Sequence, residues 1–152
     1  MGTKGPLLDR LQRLHRNNPA LMPMGETLGF LVESIEPGSA AVVVDTSKRH
    51  PNLMGATHGG LLFALADTAI GLAHLGLLVD GQTSATVEMK INFLRPVWKA
   101  RLRAEAKAIQ HGKNLCVFEC DVRDDERRLT ARATATMMSL TGEQAEGRAH
   151  FD

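Results

Sequence analysis

The residues best suited to chemistry lie in one stretch, Asn52-Leu-Met-Gly-Ala-Thr-His58-Gly59-Gly60-Leu-Leu-Phe-Ala-Leu-Ala-Asp67. Asp67 is a single acid in a long apolar run. A carboxylate in such surroundings must be paired, protonated or wet, so it is either a functional base or a structural group satisfied by a hydroxyl. Gly59 and Gly60 fall where a helix would begin. The first N–H groups of a helix have no intrahelical partner and carry the positive end of its dipole. Glycine there lets a ligand oxygen come close, and a carbonyl turning into an oxyanion would be stabilised at that point. A plain tight turn would also use Gly-Gly. His58 could cap the helix, orient the loop or touch a ligand. Asp67 follows Gly59 by eight residues, roughly 12 Å along a helix axis. One small reacting group cannot touch both. A site shared between two chains fits that length better than a site within one.

Several elements must position these residues. Leu7, Leu8, Leu11 and Leu14 recur at helical spacing, which predicts a short amphipathic helix over about 5–17, ended by Asn17-Asn18-Pro19. Gly29–Ile35 and Ala41–Asp45 read as two strands around a Pro37-Gly38 turn, and 46–56 as an irregular loop. The apolar helix runs from His58 to about Leu78, closed by Asp80-Gly81. Val87, Met89, Ile91 and Phe93 then alternate with Thr86, Glu88, Lys90 and Asn92, up to Pro96. Further alternating runs follow at 101–108, 116–122 and 130–137, with turns at His111–Asn114 and Asp124–Glu126, and a polar tail over 141–152 that is expected to fray. The last four strands are expected to form an antiparallel meander. Two strands carry rows of alanine that would let a helix lie close. The expectation is an α+β fold: a curved antiparallel sheet of five to six strands wrapped around one long buried helix, with a short N-terminal helix outside.

Composition narrows the possibilities. A chain of 152 residues, 43% apolar and 23% charged, is one globular domain spanning 1–152. Eighteen basic against 17 acidic side chains leave no excess for general nucleic-acid binding. Two cysteines, Cys116 and Cys120, alternate on one strand face and read as core thiols in a reducing, cytoplasmic setting. The start lacks the apolar core of a secretory signal. Residues 61–79 have the length of a membrane span, but Asp67 lies near their middle and amphipathic strands need something to cover, so no membrane insertion is expected. His74 lies on the face of Asp67, two turns on, and reads as a satisfied core or interface histidine.

The pattern Asn52-x5-His58-Gly59-Gly60-x6-Asp67, followed by Thr86-Val-Glu-Met-Lys-Ile-Asn-Phe-Leu-Arg-Pro96, resembles the hot-dog fold acyl-CoA thioesterases of the PaaI-like group. The resemblance covers roughly 29–140. It implies homodimers whose sheets join edge to edge, usually paired into homotetramers, with active sites between two chains. It implies hydrolysis of an acyl-CoA thioester with no metal or redox cofactor, coenzyme A being part of the substrate. Carried over, Asp67 is the nucleophile or the general base, the Gly59 N–H polarises the thioester carbonyl, Asn52 and His58 hold that end of the site, and Thr86 stands near the attacking water. A hydroxyl, Thr86 or Thr68, is expected beside Asp67 to keep it ionised. Gly60 and Phe63 are expected to touch substrate, with Phe93 as a further aryl-pocket candidate. Lys113 and Arg95 are candidates for the coenzyme A phosphates, as is Arg128. The acyl group stays open. Two other readings remain: a hydratase or dehydratase on acyl thioesters, and a non-catalytic acyl-CoA-binding module. The two-helix requirement predicts that the active species is at least a dimer. Sedimentation velocity on active protein checks this, and an active monomer refutes it.

Overall fold

The computed structural model of the chain describes residues 6–148. Residue 5 of the expected first helix, and the last four residues of the expected tail, lie outside that range. Helices α1 (Pro6–Asn17) and α2 (Pro23–Leu28) precede strands β1 (Phe30–Glu36) and β2 (Ser39–Asp45). Helix α3 (Gly59–Leu75) follows, then β3 (Thr83–Phe93), β4 (Arg101–His111), β5 (Leu115–Arg123) and β6 (Leu129–Leu140). All six strands form one antiparallel sheet, and α3 lies against every one of them.

Close approach of the helix rests on small side chains. Ala40, Ala104, Ala106, Ala131, Ala133 and Ala135 of the sheet are fully buried, as are Ala66, Ala69 and Ala73 of α3. At the helix end the contact is backbone to backbone: a Cβ on Gly76 would sit 2.6 Å from the Glu36 carbonyl oxygen. Helix α3 ends at Leu75 rather than near Leu78: Gly76 is its C-cap, and beyond it the Leu77 and Leu78 N–H groups reach back only three residues, to His74 and Leu75. None of the helices among the described residues is long and apolar enough to cross a membrane. Helix α1 covers β1 with Leu7, Leu8 and Leu11. The short α2 was invisible to periodicity. Its signals are Pro23 at the first turn and Gly29 in the left-handed conformation at the end (φ 80°).

Three expectations are corrected. The last four strands are not a meander, because the sheet order is β1-β2-β4-β5-β6-β3. β3 pairs only with β6, and the link over 94–100 carries the chain past two strands to β4. Seven residues can span up to about 24 Å, against roughly 14 Å for three strand spacings, so the crossing is easy. Secondly, Val87 does not share a face with Met89 and Ile91. A β-bulge between Thr86 and Glu88 switches the phase: Thr86 pairs Met137 and Met89 pairs Ala135, both inward-facing partners on β6. Thirdly, the tail is not wholly frayed, since Gly142–Ala145 forms a 3₁₀ turn that buries Ala145.

His74 is fully buried. Its Nδ1 lies 2.6 Å from the Ser84 hydroxyl and its Nε2 3.2 Å from that of Ser139, with the Phe118 ring edge-on at 5.8 Å. Burial, reinforced by His111, pulls its pKa from 6.5 down to about 4. The unfolded chain therefore takes up a proton first as the pH falls. Stability from this group is intact above pH 6.5 and declines until about pH 4, by roughly 3 kcal/mol in all. The stability gap between the parent and His74→Gln, which cannot titrate there, is expected to close by that amount between pH 7 and 4. Urea unfolding across this range measures it.

Candidate active site at the start of the central helix

The loop before α3 is held closed by its own polar groups. Pro51 and Thr57 form a single β-bridge, Thr57 N–H donates to the Val97 carbonyl at 2.6 Å, and His58 N–H to the His50 carbonyl at 2.7 Å. Asn52 organises the turn inside the loop: its Oδ1 accepts from Met54 N–H at 2.9 Å, and its N–H donates to the Ala56 carbonyl. The loop is thereby tied to the link between β3 and β4. Between them opens a cavity of about 420 Å³, bordered by Asn52, Gly59, Leu62, Phe93, Arg95 and Val97 among others. Asn52, Gly59 and Arg95 are thus brought together. The structure adds Met54, Leu62, Leu94 and Val97, whose apolar character carried no distinguishing signal in the sequence.

His58 is the N-cap of α3. Its Nδ1 accepts from the Gly60 N–H at 2.8 Å, and its carbonyl accepts from Leu61 N–H at 2.9 Å. An accepting Nδ1 places the proton of the neutral ring on Nε2. One residue thus satisfies two donors of the first turn. The Gly59 N–H has no acceptor among the described residues, and Gly59 borders the cavity. Each glycine has its own steric reason. A Cβ on Gly60 would lie 2.9 Å from the capping Nδ1, and one on Gly59 3.0 Å from the Phe93 ring. Gly60 has its N–H engaged and does not border the cavity.

Asp67 lies two turns further on. It is exposed in the single chain, together with Gly60 and Phe63, on the stripe of α3 that the sheet leaves open. The apolar run concealed this stripe, so the expected burial of Asp67 within one chain is corrected. Partial desolvation raises its pKa above the usual 3.8, and the neighbouring Thr86 hydroxyl pulls it back. Thr86 is therefore the hydroxyl beside Asp67. Thr68 is committed elsewhere, donating to the Ala64 carbonyl at 2.8 Å. Phe63 belongs with Asp67 on the open stripe, whereas Phe93 borders the cavity. Lys113 sits in the β4–β5 turn, at the far end of β4 from the link that borders the cavity, about 36 Å along the strand. Within one chain it cannot reach that space. Arg128 is paired with Asp124 at 2.7 Å. Cys116 and Cys120 are buried free thiols, and burial pushes Cys120 to about 12, so neither supplies a nucleophile. Among the described residues no three of His, Cys, Asp and Glu cluster as a metal site would require.

The Asp67–Thr86 contact makes a prediction that needs no substrate. In Thr86→Val the hydroxyl that favours the ionised carboxylate is gone, so the Asp67 carboxyl should titrate higher than in the parent. Carbon-13 titration of the carboxyl measures it; an unchanged midpoint would refute the contact.

The chain is similar to several known proteins. A Haemophilus influenzae relative with a provisional esterase name is 34% identical over 136 residues, covering 88% of this chain and 94% of the relative. The 1,4-dihydroxy-2-naphthoyl-CoA hydrolase of Listeria monocytogenes is 26% identical, covering 76% of this chain and 94% of that protein. Among solved structures, a mutant of the phenylacetic acid degradation protein PaaI of Thermus thermophilus superposes with a TM-score of 0.74 at 29% identity, over 78% of this chain and all of that one. The family model described as the thioesterase superfamily matches residues 54–131. That span begins in the loop of the cavity, takes in the helix with Gly59 and Asp67 and the strand with Thr86, and ends on β6; the chain belongs to the thioesterase superfamily.

Proposed function

We propose that the protein hydrolyses an acyl-CoA thioester at a site completed by two copies of the chain. The observation that carries the reading is the unpartnered Gly59 N–H at the mouth of an apolar cavity, on the same helix as an open carboxylate that lies against a hydroxyl. The thioester carbonyl oxygen points at the Gly59 N–H and gains its strongest bond as the tetrahedral oxyanion forms. Asp67 either takes a proton from water as the water oxygen attacks the carbonyl carbon, or attacks that carbon itself and is released by water. The C–S bond breaks, and the thiolate of coenzyme A leaves and takes up a proton. Asn52 and His58 shape the oxyanion end, His58 through its cap.

The two groups stand about 12 Å apart and roughly 80° around the helix from each other, so one carbonyl cannot meet both in one chain. β3 supports a shared site. It is an edge strand of eleven residues, none of them buried, with Val87 and Phe93 both more than half exposed. Such an edge is a template for pairing. Antiparallel pairing of two copies along β3 would bring the Thr83 end of one beside the Phe93 end of the other. Lys113 of the second copy, at the Thr83 end, would then approach Arg95 of the first, and the two cations would suit coenzyme A phosphates. A hydratase reading needs a free histidine beside Asp67 as base, yet of the two histidines on α3 and its cap, His58 is engaged and His74 is sealed inside.

A panel of phenylacetyl, hydroxybenzoyl, straight-chain acyl- and straight-chain enoyl-CoAs with a thiol reagent tests the activity. Thiol release supports hydrolysis. Loss of enoyl absorbance without thiol, or binding with neither, overturns it. Asp67→Asn should lower kcat by about two orders of magnitude or more, with substrate affinity much less affected. A folded Asp67→Asn that turns over near the parent rate would sink the assignment.

A further inference from the structure

We infer that His74 is a positioning residue for Asp67: through its hydrogen bond to Ser84 it fixes the piece of β3 that presents the Thr86 hydroxyl. The inference rests on the reading of Asp67 as the reacting carboxylate. It starts from the way β3 is held. As an edge strand, β3 has hydrogen-bonded pairing on one side only, with β6. The bulge after Thr86 interrupts that ladder. The alternation of Met89, Ile91 and Phe93 therefore does not carry across to Thr86, and without the bulge Thr86 would face away from α3. Something must hold the segment before the bulge in its own phase.

His74 does this from the helix. Ser84 and Ser139 are cross-strand partners, and Thr86 and Met137 form the next inward rung of the same ladder. The His74 ring lies against the first rung, with Nδ1 at 2.6 Å from Ser84 and Nε2 at 3.2 Å from Ser139. Asp67 meets Thr86 on the second. Two polar contacts thus tie α3 to β3, two helical turns apart on the helix and two residues apart on the strand. The Phe118 ring edge-on to the imidazole limits its tilt. A fully buried imidazole with both nitrogens engaged gives a fixed reference, whereas a contact of Asp67 with Thr86 alone, both exposed, leaves the strand free to shift.

The two serines separate positioning from plain stability. Ser84 is on the strand that carries Thr86; Ser139 is on its neighbour. Each removes one hydroxyl from His74, so Ser84→Ala and Ser139→Ala should lower the melting temperature by similar amounts. Only Ser84→Ala should disturb Thr86. Among the described residues of one chain, burial and Thr86 are the two influences on the Asp67 carboxyl, with no charged side chain acting on it, while His74 itself feels His111 of β4. Ser84→Ala should therefore move the Asp67 titration upward and the acid limb of kcat with it. kcat should fall about tenfold, a part of what loss of a base costs, with KM within about twofold. In a Thr86→Val background Ser84→Ala should add nothing further. Carbon-13 titration of Asp67, kcat and KM against pH, and melting temperature on the parent and both serine variants decide it. Equal effects of the two serine variants on kcat and on the Asp67 titration, or no effect of Ser84→Ala on either, would overturn the inference. The titration needs no turnover. If Asp67→Asn remains active while Ser84→Ala still shifts the Asp67 titration, the catalytic reading falls, and His74 no longer positions a reacting group.

Discussion

Everything in this fold depends on how closely one helix can be laid into one sheet. The alanines of β2, β4 and β6 face the alanines of α3, and the helix end touches the backbone at Glu36. Small residues on both sides let the sheet curve round until all six strands reach the helix. Larger side chains there would push the helix out and flatten the sheet, at a cost of about 1–3 kcal/mol for each overpacked site. The curvature also decides which residues stay outside. A sheet wrapped on one side of a helix leaves the opposite stripe open, and here that stripe holds Gly60, Phe63 and Asp67.

The same close fit explains why the two faces of the sheet differ. The inner face is mostly apolar, its polar exceptions being Ser84 and Ser139 against His74, and Thr86 beside Asp67. The outer face carries a lattice of ion pairs, among them Arg103 with Glu33 at 2.7 Å and Arg132 with Asp121 at 2.6 Å. These are exposed pairs and contribute little each. They do keep cations and anions mutually occupied across a groove of about 630 Å³ near Arg103, Glu105, Asp121 and Arg123. Arg95, in contrast, has no acidic partner among the described residues, and it borders the cavity at the helix start.

Most of the elements could be read from the chain because they obey local rules. Alternation located β3 to β6, Pro37-Gly38 located the first hairpin, and His58-Gly59-Gly60 located the helix start. What could not be read depends on partners distant in sequence. Nothing in the residues of β3 says that its neighbour is β6 rather than β4. The bulge at Val87 is equally silent, since Thr86-Val-Glu-Met alternates as well as any strand. The motif pointed to Thr86 beside Asp67 while the alternation placed Thr86 on the other face, and the bulge reconciles them. Asp67 looked buried because its neighbours in sequence are apolar, but exposure follows the angle around the helix axis. Lys113 is a candidate by its place near a strand end, and a strand has two ends.

The first turn of α3 shows how a single side chain can prepare a site without entering it. Four N–H groups at a helix start lack intrahelical acceptors, and a ligand carbonyl competes with every other acceptor nearby. If the Gly59 and Gly60 donors were both open, water would bridge them and an incoming oxygen would find two directions of approach. The His58 ring removes one by accepting from Gly60, and its carbonyl takes the Leu61 N–H. The remaining donor, on Gly59, stands beside the Phe93 ring, at a place where a Cβ would not fit. An aromatic wall on one side and an engaged neighbour on the other define a single line of approach, along the cavity bordered by Asn52 and Arg95. A donor fixed in direction before the reaction begins stabilises a developing negative charge without reorganising, which is where such a donor acts most strongly.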